Sequence, residues 1–300
     1  MSIFPTKILL ATDGSEEATL AAKTAAGIAA RTASELHVLI VGREDAYYEL
    51  PETPARLQDV LEAQRRKVEE VLDGQVRKIE ESGGSVEETH LKMGERPDRA
   101  IVDEGEKLGV GLIVVGSRGL GLLNRALMGS VSSSVVRHAH CPVLVVRDGE
   151  REGDYLLGRI LLATDGSEEA TLAAQTAADL ATRAGSELHL VTVAPQHPYV
   201  DAYYDFRHPA EVERRRQEAQ KVLNQQVDRL LETGGSVAKA HLKMGRVDEE
   251  IVVLGEEIGA DLIVTGSRGL GGIRGALMGS VSESVVHHAS CPVLVVRKEE

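Results

Sequence analysis

Fifteen residues, ILLATDGSEEATLAA at 8–22, return unchanged at 160–174. Two shorter runs return as well: HLKMG at 90–94 becomes 241–245, and CPVLVVR at 141–147 becomes 291–297. The offset between copies is 152 at Asp13 and Asp165 and 150 at Gly116 and Gly266, so the two halves run almost residue for residue. A chain of 300 residues has room for two domains at the usual ~150 residues each. The sequence therefore predicts one domain built twice, at 1–147 and 159–300, with a charged, glycine-bearing linker at 148–158. Two copies are too few for a solenoid, which needs roughly three or more stacked repeats.

Each copy alternates strand and helix patterns. Lys7–Ala11 and Arg159–Ala163 are apolar runs that end at Thr-Asp-Gly-Ser. Ser15 and Ser167 then stand where a helix cap belongs, and Glu16-Glu17 suit the positive end of the helix that follows, which runs through Ala30. Second strands are expected at Glu35–Val41 and Glu187–Val193, and loops bearing Tyr47-Tyr48 and Tyr203-Tyr204 come next. Leu57, Val60, Leu61, Val68, Val71, Leu72, Val76 and Ile79 recur at helical spacing, so a long amphipathic helix covers that stretch. A third strand over Val86–Leu91, a helix opened by Pro97, a strand at Leu112–Val115, a glycine loop, a fourth helix and the strand Pro142–Val146 complete the copy. Such alternation predicts an α/β domain with a parallel sheet and helices on both faces.

The chemistry concentrates after the fourth strand. There the sequence runs Gly116-Ser117-Arg118-Gly119, later Gly129-Ser130-Val131-Ser132, with Gly121 and Arg125 between; the second copy has Gly266, Ser267, Arg268, Gly269, Gly271, Gly279, Ser280, Val281 and Ser282. Glycines just past a strand let backbone N–H groups approach a ligand, and a helix that starts at Gly129-Ser130 adds unpaired N–H groups and partial positive charge. Together they form a bed for phosphate; the plain alternative is a flexible connection. The pattern is not a P-loop, because no Gly-Lys-Ser/Thr occurs, nor a dinucleotide fingerprint, because Asn124 and Arg274 stand where a third glycine is needed. Arg118 and Arg268 are candidates to offset phosphate charge. Arg125 lies four residues before Gly129 while Arg274 lies five before Gly279, so neither reads as a fixed clamp. Asp13 and Asp165 are either turn residues before glycine or carboxylates for a ribose hydroxyl or a Mg²⁺ ion. Ligands of doubly wound sheets bind beyond the carboxyl ends of the strands where strand order reverses, which would bring Asp13 and the Gly116 loop to one crevice.

Composition narrows the classes. A formal net charge of −13 disfavours nucleic acid and anionic membrane surfaces, and Arg65-Arg66-Lys67 and Arg214-Arg215-Arg216 lie in mixed-charge helical segments that read as solvated faces. No apolar run approaches the ~18 residues of a membrane span, and the N-terminal strand recurs internally, so no leader is expected. The two cysteines, Cys141 and Cys291, read as buried thiols in a reducing, cytoplasmic setting. His138 and His288 match at a helix end, where a cation suits the dipole; His140 has Ser290 as its counterpart, which argues against a repeated histidine metal site there.

The Gly-x2-Gly-x9-Gly-Ser spacing after a strand, the early strand ending at Asp13 and the terminal CPVLVV strand resemble the universal stress protein family, over nearly all of both halves. The resemblance implies a tandem of Rossmann-like, flavodoxin-like domains with strand order 3-2-1-4-5, of the branch that binds ATP. It implies nucleotide contacts from the glycine-loop residues and from Asp13 and Asp165, the candidate Mg²⁺ ligands, and places Val41 and Val193 beside the adenine. No general base or Ser-His-Asp arrangement is evident, so the expectation is an ATP-binding stress regulator without fast catalysis. A slow ATPase or phosphotransferase, and an interaction module with vestigial sites, are the alternatives. The fifth strands, Val143–Val146 and Val293–Val296, have proline only at their starts and no charge to guard an edge, so the two halves are expected to pair through them as a pseudo-dimer, with a further homodimer open.

Overall fold

The apolar runs at the start of each copy become strands buried on both faces, as a parallel sheet covered by helices requires. A computed structural model describes residues 3–43, 54–119, 128–147, 157–196, 208–270 and 278–298. The chain divides into two compact units, one over Pro5–Arg147 and one over the second half.

The first domain runs β1 (Lys7–Thr12), α1 (Glu16–Thr32), β2 (Glu35–Gly42), α2 (Pro54–Glu81), β3 (Glu88–Met93), α3 (Pro97–Leu108), β4 (Leu112–Gly116), α4 (Ser130–His138) and β5 (Val143–Val146). All neighbours are parallel, in the order β3-β2-β1-β4-β5. The second domain repeats it with β6 (Arg159–Ala163), α5 (Glu168–Ala184), β7 (Glu187–Pro195), α6 (Pro209–Glu232), β8 (Lys239–Gly245), α7 (Val247–Ile258), β9 (Leu262–Gly266), α8 (Ser280–His288) and β10 (Val293–Val296), ordered β8-β7-β6-β9-β10. The α/β class and the 3-2-1-4-5 order expected from the sequence are those observed. In each sheet the chain leaves the central strand to one side and returns on the other, so the crevice lies at the ends of β1 and β4, and of β6 and β9.

Helix α1 packs against β1, β4 and β5, and lies beside α2; α3 lies beside α4. The alanine face of α1, with Ala18, Ala21, Ala22, Ala25 and Ala29 buried, lets the helix approach the sheet closely. Ser15 and Ser167 cap α1 and α5 by accepting the N–H of Ala18 and Ala170, each at 3.2 Å. Strand β3 starts at Glu88 rather than Val86. The Glu87 N–H donates to the Leu36 carbonyl at 2.8 Å, so pairing with β2 begins only there. The basic runs of α2 and α6 lie in helices laced by exposed pairs such as Arg65–Glu69 and Arg214–Glu218, solvated and of small energetic weight, except that Arg215 turns inward to donate to the Pro195 carbonyl at 3.0 Å. Cys141 is buried as expected; Cys291 is only partly so. His138 and His288 close their helices with Nδ1 2.8 Å from the carbonyls of Ser134 and Ser284. Among the described residues no helix is long and apolar enough to cross a membrane.

Candidate functional site

The glycine loop is an excursion clipped shut at its base. In the first domain Ser117 donates its N–H to the Val146 carbonyl of β5 and accepts, at its own carbonyl, the N–H of Gly129, both at 2.7 Å. Ser267 does the same with Val296 and Gly279 at the same distances. This clip delivers the start of α4, or α8, to the end of the fourth strand. Gly129 and Gly279 hold the N-cap positions with extended backbone and no side-chain cap, so the first-turn N–H groups of these helices lack the usual side-chain acceptor. Ser130 and Ser280, the first helical residues, stand next to them.

Two glycines are fixed by close approach. A Cβ on Gly116 would meet the backbone of Glu17 and Ala18 at 3.2–3.3 Å, and one on Gly266 would meet Glu169 and Ala170 at 3.0 Å. These positions seat the first helix against the strand end. A Cβ on Gly119 or Gly269 would fall inside the carboxylate of Asp13 or Asp165. That carboxylate therefore lies flat against the glycine loop. Asp13 Oδ1 also accepts the Ser15 N–H at 3.0 Å, and Asp165 accepts Ser167 N–H at 3.0 Å on one oxygen and Leu270 N–H at 2.8 Å on the other. The aspartate ties the first loop of the domain to the glycine loop, and the turn role and a place in the crevice coexist.

Arg118 and Arg268 are not poised in open solvent. Arg118 donates Nε–H to Glu17 Oε1 at 2.6 Å, while Glu17 Oε2 accepts the Ser117 hydroxyl and the Arg118 N–H, each at 2.6 Å; the guanidinium makes a second ion pair through Nη2. Glu169 takes the hydroxyl of Ser267 and the Nε–H of Arg268 at 2.6 Å, with the Arg268 N–H as well. Both carboxylates are buried, at 7 % and 8 % exposure. Their role was missed in the sequence, where Glu17 reads as a helix-dipole residue. The exact return of Glu17 together with Ser117-Arg118 as Glu169 with Ser267-Arg268 was the available signal. Ser132 and Ser282 are likewise engaged, donating their hydroxyls to the carbonyls of Gly116 and Gly266 at 2.6 Å. Gly121, Arg125, Gly271 and the tyrosine loops lie outside the described residues.

In the second domain these parts enclose a cavity of about 730 Å³, within the ~300–1,000 Å³ of small-molecule sites. Asp165, Val193, Gly266, Arg268, Gly269, Gly279, Ser280, Val281 and Ser282 all line it. Its remaining wall includes Val191, Pro195, Ala219, Val222, Val247 and Ile251, with Arg215, Glu218 and Glu283 as charged members. Apolar side chains and the N-terminus of α8 thus share its lining.

The sequence model of the universal stress protein family matches residues 5–147 and again 157–297. The chain belongs to the universal stress protein family. A universal stress protein of Mycolicibacterium smegmatis is 31% identical over 242 residues, covering 79% of each chain. A universal stress protein of Mycobacterium tuberculosis is 35% identical over 189 residues, covering 62% of each chain. The crystal structure of a universal stress protein from Archaeoglobus fulgidus superposes with a TM-score of 0.67 at 26% identity, over 100% of this chain and 98% of that one. This tandem universal stress protein thus carries the family's domain twice, each time with the same clip, aspartate and buried glutamate.

Proposed function

We propose that each domain of this universal stress protein binds ATP in the crevice between its first and fourth strands, and that the protein works in the cytoplasm as a nucleotide-binding stress regulator rather than as a fast enzyme. The observation that carries this reading is the convergence of Asp165, the Gly266–Gly269 turn and the Gly279–Ser282 helix start on one cavity, although more than a hundred residues separate the first from the last. The apolar wall near Val193 receives the base, and the uncapped N–H groups of α8 and the Ser280 hydroxyl receive phosphate. With Arg268 held by Glu169, the phosphates rest mainly on backbone dipoles and hydroxyls. Asp165 already accepts two backbone N–H groups and offers its remaining lone pairs to a ribose hydroxyl or to Mg²⁺. A single carboxylate fits Mg²⁺ only together with the nucleotide's own phosphates, which is the common manner of holding that ion. A few charge-assisted hydrogen bonds less the ordering cost give roughly micromolar affinity, near −8 kcal/mol.

The test is mass spectrometry of small molecules released on denaturing the freshly purified chain, followed by calorimetric titration with ATP with and without Mg²⁺. The expected outcome is an adenine nucleotide in the released fraction and micromolar binding. A chain that releases none and binds none at millimolar ATP overturns the reading. Asp165→Ala separates the two roles of the carboxylate: a loss that depends on Mg²⁺ assigns the metal, and one that does not assigns the ribose.

A further inference from the structure

Away from the crevice, near the start of the second strand, the first domain gathers two histidines and a carboxylate. Parallel register sets His37 of β2 opposite Glu88 of β3, and His90, two residues on, faces the same side. His37 Nδ1 and His90 Nε2 are 3.1 Å apart. Glu88 Oε2 is 3.9 Å from each of them. The point equidistant from three atoms so spaced lies about 2.1 Å from each, the length of a Zn–N or Zn–O bond.

The surroundings set which way the lone pairs point. His37 is 3% exposed, and its outer nitrogen, Nε2, has no hydrogen-bond partner and lies 3.8 Å from Glu35 Oε2. The outer nitrogen of His90, Nδ1, lies 3.6 Å from Oε1 of Glu104, a carboxylate 2% exposed that is itself held by Lys92 at 3.0 Å and Lys107 at 2.8 Å. A carboxylate on the outer side of an imidazole keeps the proton there and turns the inner nitrogen's lone pair toward its neighbour. With the proton of each ring on its outer nitrogen, two lone pairs and a carboxylate would converge on one point, and that point would call for a cation.

We propose that His37, His90 and Glu88 bind a divalent transition-metal cation of the zinc class, with solvent in the remaining position. Two imidazoles, a carboxylate and an open position form a recurrent zinc donor set, and the Glu104 carboxylate behind His90 is the usual outer partner of a ligating histidine. The ion would staple β3, at the end of the first domain's strand order, to β2.

The second domain supplies a control within the same chain. His189 and His241 repeat the pair at the same 3.1 Å, with rings stacked at the same 5.4 Å. Register there sets Lys239 opposite His189, where Glu88 stands opposite His37. Leu254 takes the position of Glu104, so the buried carboxylate behind His90 has no counterpart. Without a carboxylate between them, an N–H of one ring donated to the other would satisfy that pair, and the lysine would repel a metal.

The experiment is a calorimetric titration of the full chain with Zn²⁺ after chelator treatment, on wild type, Glu88→Lys, Glu88→Gln and His189→Ala. Glu88 has a side chain 62% exposed, so its replacements should leave the fold intact; circular dichroism and an unchanged ATP titration check this. The expected result is one strong equivalent in wild type and in His189→Ala, weakened roughly 100-fold or more in both Glu88 variants, because even outer-shell changes cost 10–100-fold. A wild-type chain with no zinc binding at tens of micromolar overturns the proposal. So does a Glu88→Lys chain with wild-type affinity and stoichiometry, which would move the metal to other histidines such as His287 and His288. Because the ATP titration is read separately, failure here and failure of the nucleotide reading are distinct results.

Discussion

The two domains share a scaffold down to individual hydrogen bonds yet differ in the wall of the crevice. The clip at Ser117 and Ser267, the aspartate under the glycine loop and the buried Glu17 and Glu169 coincide to within about a tenth of an ångström. The neighbouring helix has diverged. Gln64, Lys67 and Val68 of α2 stand where α6 has Arg215, Glu218 and Ala219, and Ser133 of α4 stands where α8 has Glu283. Some changes compensate one another. A Cβ on Gly42 would meet Val68 at 2.8 Å and Met93 at 2.5 Å, while the second domain places Ala194 at the glycine's position and the smaller Ala219 at that of the valine. Others do not compensate: the counterparts of the charged wall residues Arg215, Glu218 and Glu283 are neutral, positive and neutral. The clip, the aspartate and the buried glutamate are constrained by the fold, and on the proposed reading by the nucleotide as well. The charged wall positions are free of those packing constraints, and the two domains differ there.

The largest effect should come from the part they share. Replacing Glu17 by Gln leaves the Arg118 guanidinium without its counter-charge in a site where the arginine side chain is only 18% exposed and the glutamate 8%. Breaking a buried pair from one side costs about 3–5 kcal/mol. Glu169→Gln should cost less, about 2 kcal/mol, because Arg268 is 33% exposed and regains water. Urea denaturation of the full chain, followed domain by domain through amide hydrogen exchange, gives both numbers. Equal and small losses would mean that the glutamates are helix-end residues, as the sequence alone suggests.

That contrast marks what was legible beforehand. The duplication and the α/β alternation follow from patterns that local chemistry produces, apolar runs, a serine cap and glycines after a strand, while the strand order came from the family resemblance that those motifs carry. Glu17 was not legible because its meaning depends on Ser117 and Arg118, a hundred residues on. Only the fold shows that an acidic residue in the first turn of α1 is buried rather than solvated. The pairing of Arg118 was hidden for the same reason: the sequence offers it as a candidate against phosphate charge, and only the fold shows the Glu17 carboxylate beside it. His37 and His90 escaped notice because two single histidines on separate strands have no spacing signature. Register alone brings them together.

A second effect tests whether the walls are tuned. Glu283 sits in the first turn of α8, where its carboxylate favours the helix dipole and so occupies the field a phosphate would use. Ser133 leaves that field free in the first domain. Glu283→Ser should therefore tighten ATP binding at the second site about tenfold, or ~1.4 kcal/mol, and Ser133→Glu should weaken the first by a similar factor. Two-site calorimetry at low salt reads both, and raising the salt should shrink each difference. Unchanged affinities in both variants would mean that the crevices bind alike and that the wall charges are incidental.

The smallest effect concerns the helix pair behind the site. Asp98 in the first turn of α3 accepts the Ser134 hydroxyl of α4 at 2.8 Å and two N–H groups of Arg96, from Nη2 at 2.9 Å and Nε at 3.3 Å. Asp248 accepts the Ser284 hydroxyl at 2.6 Å and one N–H of Arg246 at 3.2 Å. Burial pushes both carboxyls up, but the serine hydrogen bond and the arginine charge outweigh it and hold them below their ordinary value. A carboxyl whose folded pKa is depressed contributes stability above its unfolded pKa and loses it as the pH falls through the folded value. Asp98→Asn should therefore cost about 1 kcal/mol at neutral pH, and the gap from wild type should close below the ordinary aspartate pKa of 3.8. Asp248→Asn should cost less, because a forked arginine contact is stronger than a single one. Urea midpoints from pH 7 down to pH 3 give the two curves. A gap that stays constant across that range would assign the loss to packing of the α3–α4 and α7–α8 pairs rather than to charge. Equal gaps for the two variants would show that the second N–H from Arg96, at 3.3 Å, adds nothing to the first.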